Sequence, residues 1–503
     1  MAIWLETFRL PLAPYDIAQR IFLLAKMCGK IFNMNWKTVF KSFKNKDMQK
    51  RFFGVVGLIV IFRFLAHVPV PLAEPTAFRE VVASAINSTD LGGFINLLTG
   101  GSLTTFSIMV VGLSPFITAS IISQLLTKAI PALEELNNDG ETGRRKINQW
   151  TRVVAVPLAI LQSIAYIFIL RQTVLAGNTT ILEDATMMEW VVAVTAMSTG
   201  SILLMWLGEL ITERGIGNGT SLIIFAGIIS QLPKTLATIG SSIIDTSEGG
   251  LNVFDWFELP INPIAFGVTV FIVISSLILL YILVKINEAQ RIITVNYAKR
   301  VHGNSAYGGI RSILPIRLIA AGVVPVIFSV SFLSLPAFVG QLLVSSGNEA
   351  YASIADKLVT WFQAPNPGSF TGETWEAFIY PTIYFLLIVM FTFFYTTIVF
   401  NSNEIADNLQ KQGGFIEGVR PGKKTENYLN KIVNRLNLFG ALALGFIALT
   451  PFIADYLLFN LAGVQSSNLS IGGTGLLIVV TVALESLRQL NSRALMVTYD
   501  EYQ

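Results

Sequence analysis

The stretch Leu91–Leu126, LGGFINLLTGGSLTTFSIMVVGLSPFITASIISQLL, decides how this chain must fold. It opens with a short apolar piece, Phe94 to Leu98, that carries Phe94, Ile95, Leu97 and Leu98. That piece cannot cross a bilayer, whose hydrocarbon core takes about 20 helical residues. Two adjacent glycines follow, Gly100 and Gly101. Each glycine costs a helix about 1 kcal/mol, so the pair marks a hinge. Beyond the hinge the sequence stays apolar for the length of a full span. A short apolar piece hinged to a span reads as a re-entrant element. Irregular backbone at membrane depth survives only where protein buries it or where it lines a wet cavity. The alternative is an ordinary helix lying in the interface.

Runs of spanning length recur on both sides of this unit. Ten are expected, at about 52–71, 105–127, 153–172, 189–207, 218–240, 263–285, 315–337, 377–400, 436–459 and 471–490. The composition agrees: 53% of the 503 residues are hydrophobic and 13% charged, where soluble domains carry about 25% charged. The expected class is an all-α membrane protein with one domain over 51–490. It is flanked by a cytoplasmic extension with an amphipathic segment at 1–50 and a tail at 491–503. Of the 35 Lys and Arg, 30 fall in 1–51, 128–152, 208–217, 285–317, 400–435 and, as Arg488 and Arg493, at the C-terminal end, all on one side of a ten-span thread. The opposite side holds Arg79, Arg171, Lys234 and Lys357, and Arg63 lies inside the first span. Basic loops stay in the cytoplasm, so both termini are expected there. Residues 1–33 contain IAQRIFLLAKM without a following A-x-A cleavage site. They read as an upstream extension on the membrane surface or as a start placed too early, before MNWKTVFKSFKNKDMQKRFFG at Met34.

Several chemistries are excluded. The single cysteine, Cys28, allows neither a disulfide framework nor a Cys-type metal site, and His67 and His302 are too scattered for a His-based one. No GxxxxGK[ST] cradle is present, so energy for any work comes from elsewhere. No cofactor, no metal and no catalytic residue is expected. GIGNG at Gly215–Gly219 lacks the strand and lysine of a phosphate loop and reads as a tight turn opening a helix. Ionisable groups within the spans are few: Arg63 is the main one, with Glu209, Glu213, Asp455 and Glu485 near span ends. Carriers of small charged solutes place such groups near the midplane. Stretches such as SLIIFAGII and GLLIVVTVAL are either packing and lipid-facing surface or, in part, an apolar constriction that seals by dewetting.

The segment NSNEIADNLQKQGGFIEGVRPGKKT at 401–425 is a polar, basic loop between two long apolar runs. Packing gives a membrane protein no reason to keep it, so a soluble partner is expected to press on it. Arg420 is either a positive-inside anchor or a recognition group presented on a turn by the flanking glycines and Pro421.

These segments together resemble SecY, the channel subunit of the bacterial protein-export translocon. The resemblance rests on GGSL…GLSPFITASIISQLL, NDGETGRRKINQWTR, GELITERGIGNGTSLIIFAGI, RIITVNYAKR, LPIRLIAAGVVPVIF, FYTTIVFNSNEIADNLQKQGGFIEGVRPGKKT and GGTGLLIVV, in order over about residues 50–500. It implies ten helices in two inverted five-helix halves, hinged between helices 5 and 6 around an hourglass pore, with a short re-entrant plug helix. The pore ring would fall on Leu113, Ile117, Ile224, Ile228, Ile327 and Ile478. Leu113 and Ile117, like Ile224 and Ile228, are spaced to share a helical face. The plug would be the piece around Phe94–Leu103. A lateral gate between helices 2 and 7 would fall on Thr118, Ser120, Gln124, Ser331 and Leu335, and motor or ribosome contacts on Lys299, Arg300 and Arg420. Ile292 replaces a second arginine, and Ile319 replaces a polar residue at the start of helix 7, which would make the gate more apolar.

The resemblance implies a passive, gated protein-conducting channel of the cell's inner membrane, not an enzyme. Its partners would be SecE-like and SecG-like small membrane subunits, a SecA motor or a ribosome, signal sequences and unfolded preproteins, and membrane lipid. A secondary transporter of a small solute is the alternative, which would require a polar midplane site and no need for the 400–435 loop. A scaffold or insertase without a through-pore is a third reading.

Overall fold

A backbone in hydrocarbon finds no water and must satisfy its own polar groups, which leaves a helix as the form for each apolar run. A computed structural model of the chain describes residues 46–71, 100–102, 105–175, 186–215, 217–244, 251–253, 257–259, 263–297, 300–302, 305–307, 311–345, 349–362, 365, 375–462 and 467–500. In order, the elements begin with α1 (Lys46–Leu65), α2 (Ser114–Ala129), α3 (Pro131–Asn138), α4 (Glu141–Leu175), α5 (Met187–Arg214) and α6 (Gly219–Ile244). A hairpin of β1 (Leu251–Val253) and β2 (Phe257–Leu259) precedes α7 (Pro263–Glu288). Then come β3 (Gln290–Tyr297), β4 (Arg300–His302), β5 (Ser305–Tyr307), β6 (Arg311–Arg317), α8 (Val324–Ser345), α9 (Glu349–Phe362) and α10 (Ile379–Val399). The chain closes with α11 (Ser402–Lys411), β7 (Gly414–Ile416), α12 (Lys423–Ala462) and α13 (Ser467–Asp500).

Each expected span lies on a helix: α1, α2, α4, α5, α6, α7, α8, α10, α12 and α13. Among the described residues 6 segments are long and apolar enough to cross a bilayer by length and composition alone. Helices α1, α2, α4, α5 and α6 pack on one another, and α7, α8, α10, α12 and α13 do the same. The two sets meet through the pairs α2–α8 and α4–α8, and again through α6–α7 and α6–α13. The central core draws on both sets. Phe62, Leu204, Ile211, Val326, Tyr384 and Leu477 belong to it.

Two spans start later than expected. The run 105–127 becomes helical only at Ser114. Before it, Gly112 takes a positive φ of 61° and Phe106 one of 43°. The backbone of 106–108 pairs with 68–70 instead: Val70 N–H donates to Phe106 C=O at 3.0 Å, and Ile108 N–H to Val68 C=O at 3.0 Å. The run 315–337 begins as strand β6, passes Gly322 at φ 63°, and becomes helical at Val324. Hydropathy does not separate these starts, because a buried strand or turn is as apolar as a helix.

The polar loop 401–425 also departs from expectation, since it has a core of its own. β7 pairs antiparallel with β3, as does β6, giving the order β6–β3–β7. Ile293 and Val295 alternate inward along β3 and meet Ile316, Ile416 and, from α12, Leu429, Ile432 and Val433. Ile405, Leu409 and Val419 close this small core. Packing therefore does hold the loop, through apolar residues diluted by the polar ones between them. Ile292 points to the opposite face and is exposed.

Close backbone approach fixes the segment leading into α8 against α12. A Cβ on Gly440 would meet the carbonyl oxygen of Leu318 and the side chain of Ile319. Gly440→Leu is therefore expected to destabilise the folded chain by about 1–3 kcal/mol, the usual cost of overpacking. Its thermal midpoint in detergent should fall below that of the unchanged protein, and an unchanged midpoint would mean the helices can separate freely.

Candidate pore and gate

Leu113 is the N-cap residue of α2 and Ile117 lies one turn on. Ile224 and Ile228 stand one turn apart on α6, Ile327 is in the first turn of α8, and Ile478 is on α13. Five of these, Leu113, Ile224, Ile228, Ile327 and Ile478, are buried in the central core, and the half-buried Ile117 packs against it. Side chains from four helices, more than 300 residues apart in sequence at the extremes, thus meet in one apolar cluster. An aliphatic cluster of this kind is able to seal a pore by dewetting.

The α2–α8 seam is shut. Ile121, Phe328 and Phe391 form a separate cluster there, joined by Ile117, Val324, Leu387 and Tyr395. Phe328 and Phe391 meet edge to face at 6.1 Å, and Phe332 meets Phe391 at 6.0 Å. Thr118 and Ser331 are buried and Leu335 is half-buried. Gln124 donates to the Ser120 hydroxyl at 3.0 Å, while its own carbonyl oxygen and the Thr118 hydroxyl are buried without a partner. An unpartnered buried polar atom costs about 1–3 kcal/mol, so these two groups burden the packed arrangement of α2. Further along, Tyr166 of α4 meets Phe338 of α8 at 5.2 Å. The aromatic residues of this seam escaped the sequence reading, because a phenylalanine in a span looks the same whether it faces lipid or a neighbouring helix. Ile319 is not in the seam. It packs beside Leu283, Leu444 and Leu477 in the central core, so its apolar character serves the α7–α12–α13 contact.

The glycine hinge is a true turn. Gly100 and Gly101 adopt φ of 69° and 87° and are buried with Ser102. Arg63 donates to the Gly100 carbonyl at 2.6 Å. Phe94, Ile95, Leu97 and Leu98 lie outside the described residues. Of the charges expected near span ends, Glu209 is paired with Arg152 at 2.6 Å.

Arg420 is exposed and in no ion pair among the described residues. Its backbone is tightly held: the Thr425 hydroxyl donates to the Arg420 carbonyl at 2.9 Å, Val419 N–H to Ile416 C=O at 3.0 Å, and Thr425 N–H to Gly422 C=O at 2.9 Å. Gly418 and Gly422, at φ 80° and 88°, make that turn possible. Arg300 opens β4, opposite Tyr307 of β5, where the β3–β6 hairpin continues towards its tip. Lys299 lies outside the described residues. No cluster of three His, Cys, Asp or Glu among the described residues is placed to hold a metal.

The SecY family model matches residues 107–487, which includes the seam, the ring residues and the β3–β6–β7 sheet. The chain belongs to the SecY family. This SecY chain is 38% identical over 467 residues to the protein translocase subunit SecY of Streptomyces galbus, covering 92% of this chain and 98% of that one. It is 36% identical over 466 residues to that of Mycobacterium tuberculosis, at the same coverage of 92% and 98%. Among solved structures, a protein-conducting channel superposes with a TM-score of 0.58 at 18% identity, covering 87% of this chain and 90% of that one. Sec61 from the canine ribosome–channel complex of the endoplasmic reticulum superposes with a TM-score of 0.55 at 16% identity, again over 87% and 90%. A SecY structure whose plug domain stabilises the closed channel and maintains a membrane seal gives a TM-score of 0.55 at 17% identity, covering 87% and 90%. These likenesses establish a shared SecY fold.

Proposed function

We propose that this chain is the pore-forming subunit of a protein translocase. An unfolded polypeptide passes through the ring of Leu113, Ile117, Ile224, Ile228, Ile327 and Ile478, and apolar segments leave sideways between α2 and α8 into lipid. The meeting of those six side chains in one apolar core is the observation that carries this reading. An aliphatic ring grips no particular sequence and closes again around whatever chain passes. A signal sequence brings an apolar core of about 7–15 residues. It opens the seam because it binds the open state better than the closed one.

The short apolar piece with Phe94, Ile95, Leu97 and Leu98 serves as a plug for the ring. Arg420, with Lys299 and Arg300, docks a SecA-type motor or a ribosome, in keeping with the ribosome-bound state of the similar canine channel. The chain lies in the cell's inner membrane with both termini in the cytoplasm, beside SecE-like and SecG-like small membrane subunits. It carries out no covalent chemistry, and the motor supplies the energy.

The test is reconstitution. The chain, co-purified with its small membrane subunits and placed in vesicles, should render a preprotein protease-resistant when motor and ATP are added. Its ion conductance should be low at rest and rise with a signal peptide. A folded complex that does neither overturns the reading. Deleting Phe94–Leu98 should raise resting conductance while export continues. A cysteine at position 97 should react with an impermeant thiol reagent faster during translocation than at rest. Equal rates would remove the plug from the proposal.

A further inference from the structure

Arg63 sits in the last turn of α1, beside the buried Phe62 and within the first apolar run. A guanidinium in an apolar segment is costly and persists where it has a task. Its side chain is half-buried and forms no ion pair among the described residues. What it does reach is a backbone carbonyl, that of Gly100, at 2.6 Å.

The turn it holds is wedged between two helices. A Cβ on Gly100 would come within 2.8 Å of the Gly227 Cα and 3.5 Å of the Phe62 ring. A Cβ on Gly101 would run into the amide of Gln231. Only glycine therefore permits the turn to lie against α6, and the contact falls beside Ile228, a residue of the proposed ring. Beyond the turn, the Thr105 hydroxyl donates to Ala66 C=O at 3.0 Å and so ties the same strand of chain to the end of α1. Among these ties the Arg63 contact is the charged one.

We propose that Arg63 is a positioning residue for the channel's seal. Its guanidinium clamps the Gly100 carbonyl and presses the turn against Gly227, which keeps α6 and its two ring isoleucines in the closed arrangement. A charged donor suits this task for a physical reason. The hydrogen bond is strong in a dry, low-dielectric site and weak once water reaches it. The clamp therefore holds while the pore is shut and lets go as the pore wets, which makes opening more cooperative than an apolar contact would.

This proposal rests on the channel reading, and the experiment separates the two. The full complex in vesicles is compared as unchanged protein, Arg63→Leu, Arg63→Gln and Arg63→Lys. Each also carries Ser102→Cys, a fully buried position in the turn, with Cys28→Ser so that the reporter thiol stands alone. Arg63→Leu should raise resting conductance and the labelling rate of the cysteine at 102 by about tenfold, the equilibrium worth of one hydrogen bond to a charged group. Arg63→Gln should fall between, and Arg63→Lys should restore most of the seal, with motor-driven export retained throughout. If Arg63→Leu does not accumulate, the Gln and Lys pair decides: a tighter seal in Lys than in Gln supports the clamp, and equal seals overturn it. Resting conductance and labelling that are unchanged in Arg63→Leu also overturn it. If the unchanged protein gains no conductance with a signal peptide, the channel reading itself fails, independently of Arg63.

Discussion

Ile228→Asn is expected to give a folded channel that leaks ions at rest and exports preproteins with weakened signal sequences. Ile228 is buried in the central core with Ile224, Leu113, Ile327 and Ile478. An asparagine amide placed there without partners costs about 1–3 kcal/mol, and the loss of a buried aliphatic chain costs about 1.5–3 kcal/mol more. The protein can recover part of that cost by letting water into the ring, which favours the open state. Since about 1.4 kcal/mol is tenfold in an equilibrium, a rise in resting conductance of at least about tenfold is expected. Ile224→Asn should behave alike, while Ile228→Leu keeps the apolar surface and should stay closed. Conductance in vesicles and export of a reporter with a shortened apolar signal core are the measurements. If neither rises in either asparagine variant, the two isoleucines are ordinary packing residues and the ring lies elsewhere.

Arg420→Glu is expected to abolish motor-driven export while leaving the membrane protein at its normal level. The guanidinium is exposed and the turn beneath it is held by backbone and Thr425 hydrogen bonds that the substitution does not touch. A cation facing an anionic site on a partner becomes a repulsion, and such like-charge juxtaposition costs several kcal/mol. Lys423→Ala, at the exposed start of α12, removes a peripheral charge and should alter association rate far more than final yield. The two variants are compared for membrane abundance, ATP-driven export, and binding of the motor at low and high salt. Normal export by Arg420→Glu, or failure only through degradation, would leave the loop as a topology anchor. Structure strengthens this prediction in one respect: β7 ties the loop to β3, so a partner pressing on Arg420 also presses on the β3–β6 hairpin that leads into α8.

The membrane spans were legible in the sequence because their signal is local. Burial in hydrocarbon demands continuous apolar runs, and each of the ten expected runs contains a helix. A break in the helix was legible too, since adjacent Gly100 and Gly101 announce a backbone that other residues avoid, and both take positive φ. The paired spacing on α2 and α6 placed four ring candidates on two faces. The other decisions are nonlocal. The sequence does not say that 106–108 pairs with 68–70 instead of extending α2, because the competing partner is distant in the chain. Nor does it say that the three residues of β7 join β3, which supplies most of a strand's stability only after the membrane helices bring both loops together. Ile319 read as a gate residue because it lies just before α8, yet the turn at Gly322 and the close approach of Gly440 carry it into the α7–α12–α13 core. Arg63 was visible as a misplaced charge, and its acceptor, 37 residues away, exists only in the folded chain. Local composition determined which segments enter the membrane. Which side chains meet there was decided by tertiary packing, because a contact between distant residues forms only when the whole set of helices has closed around it.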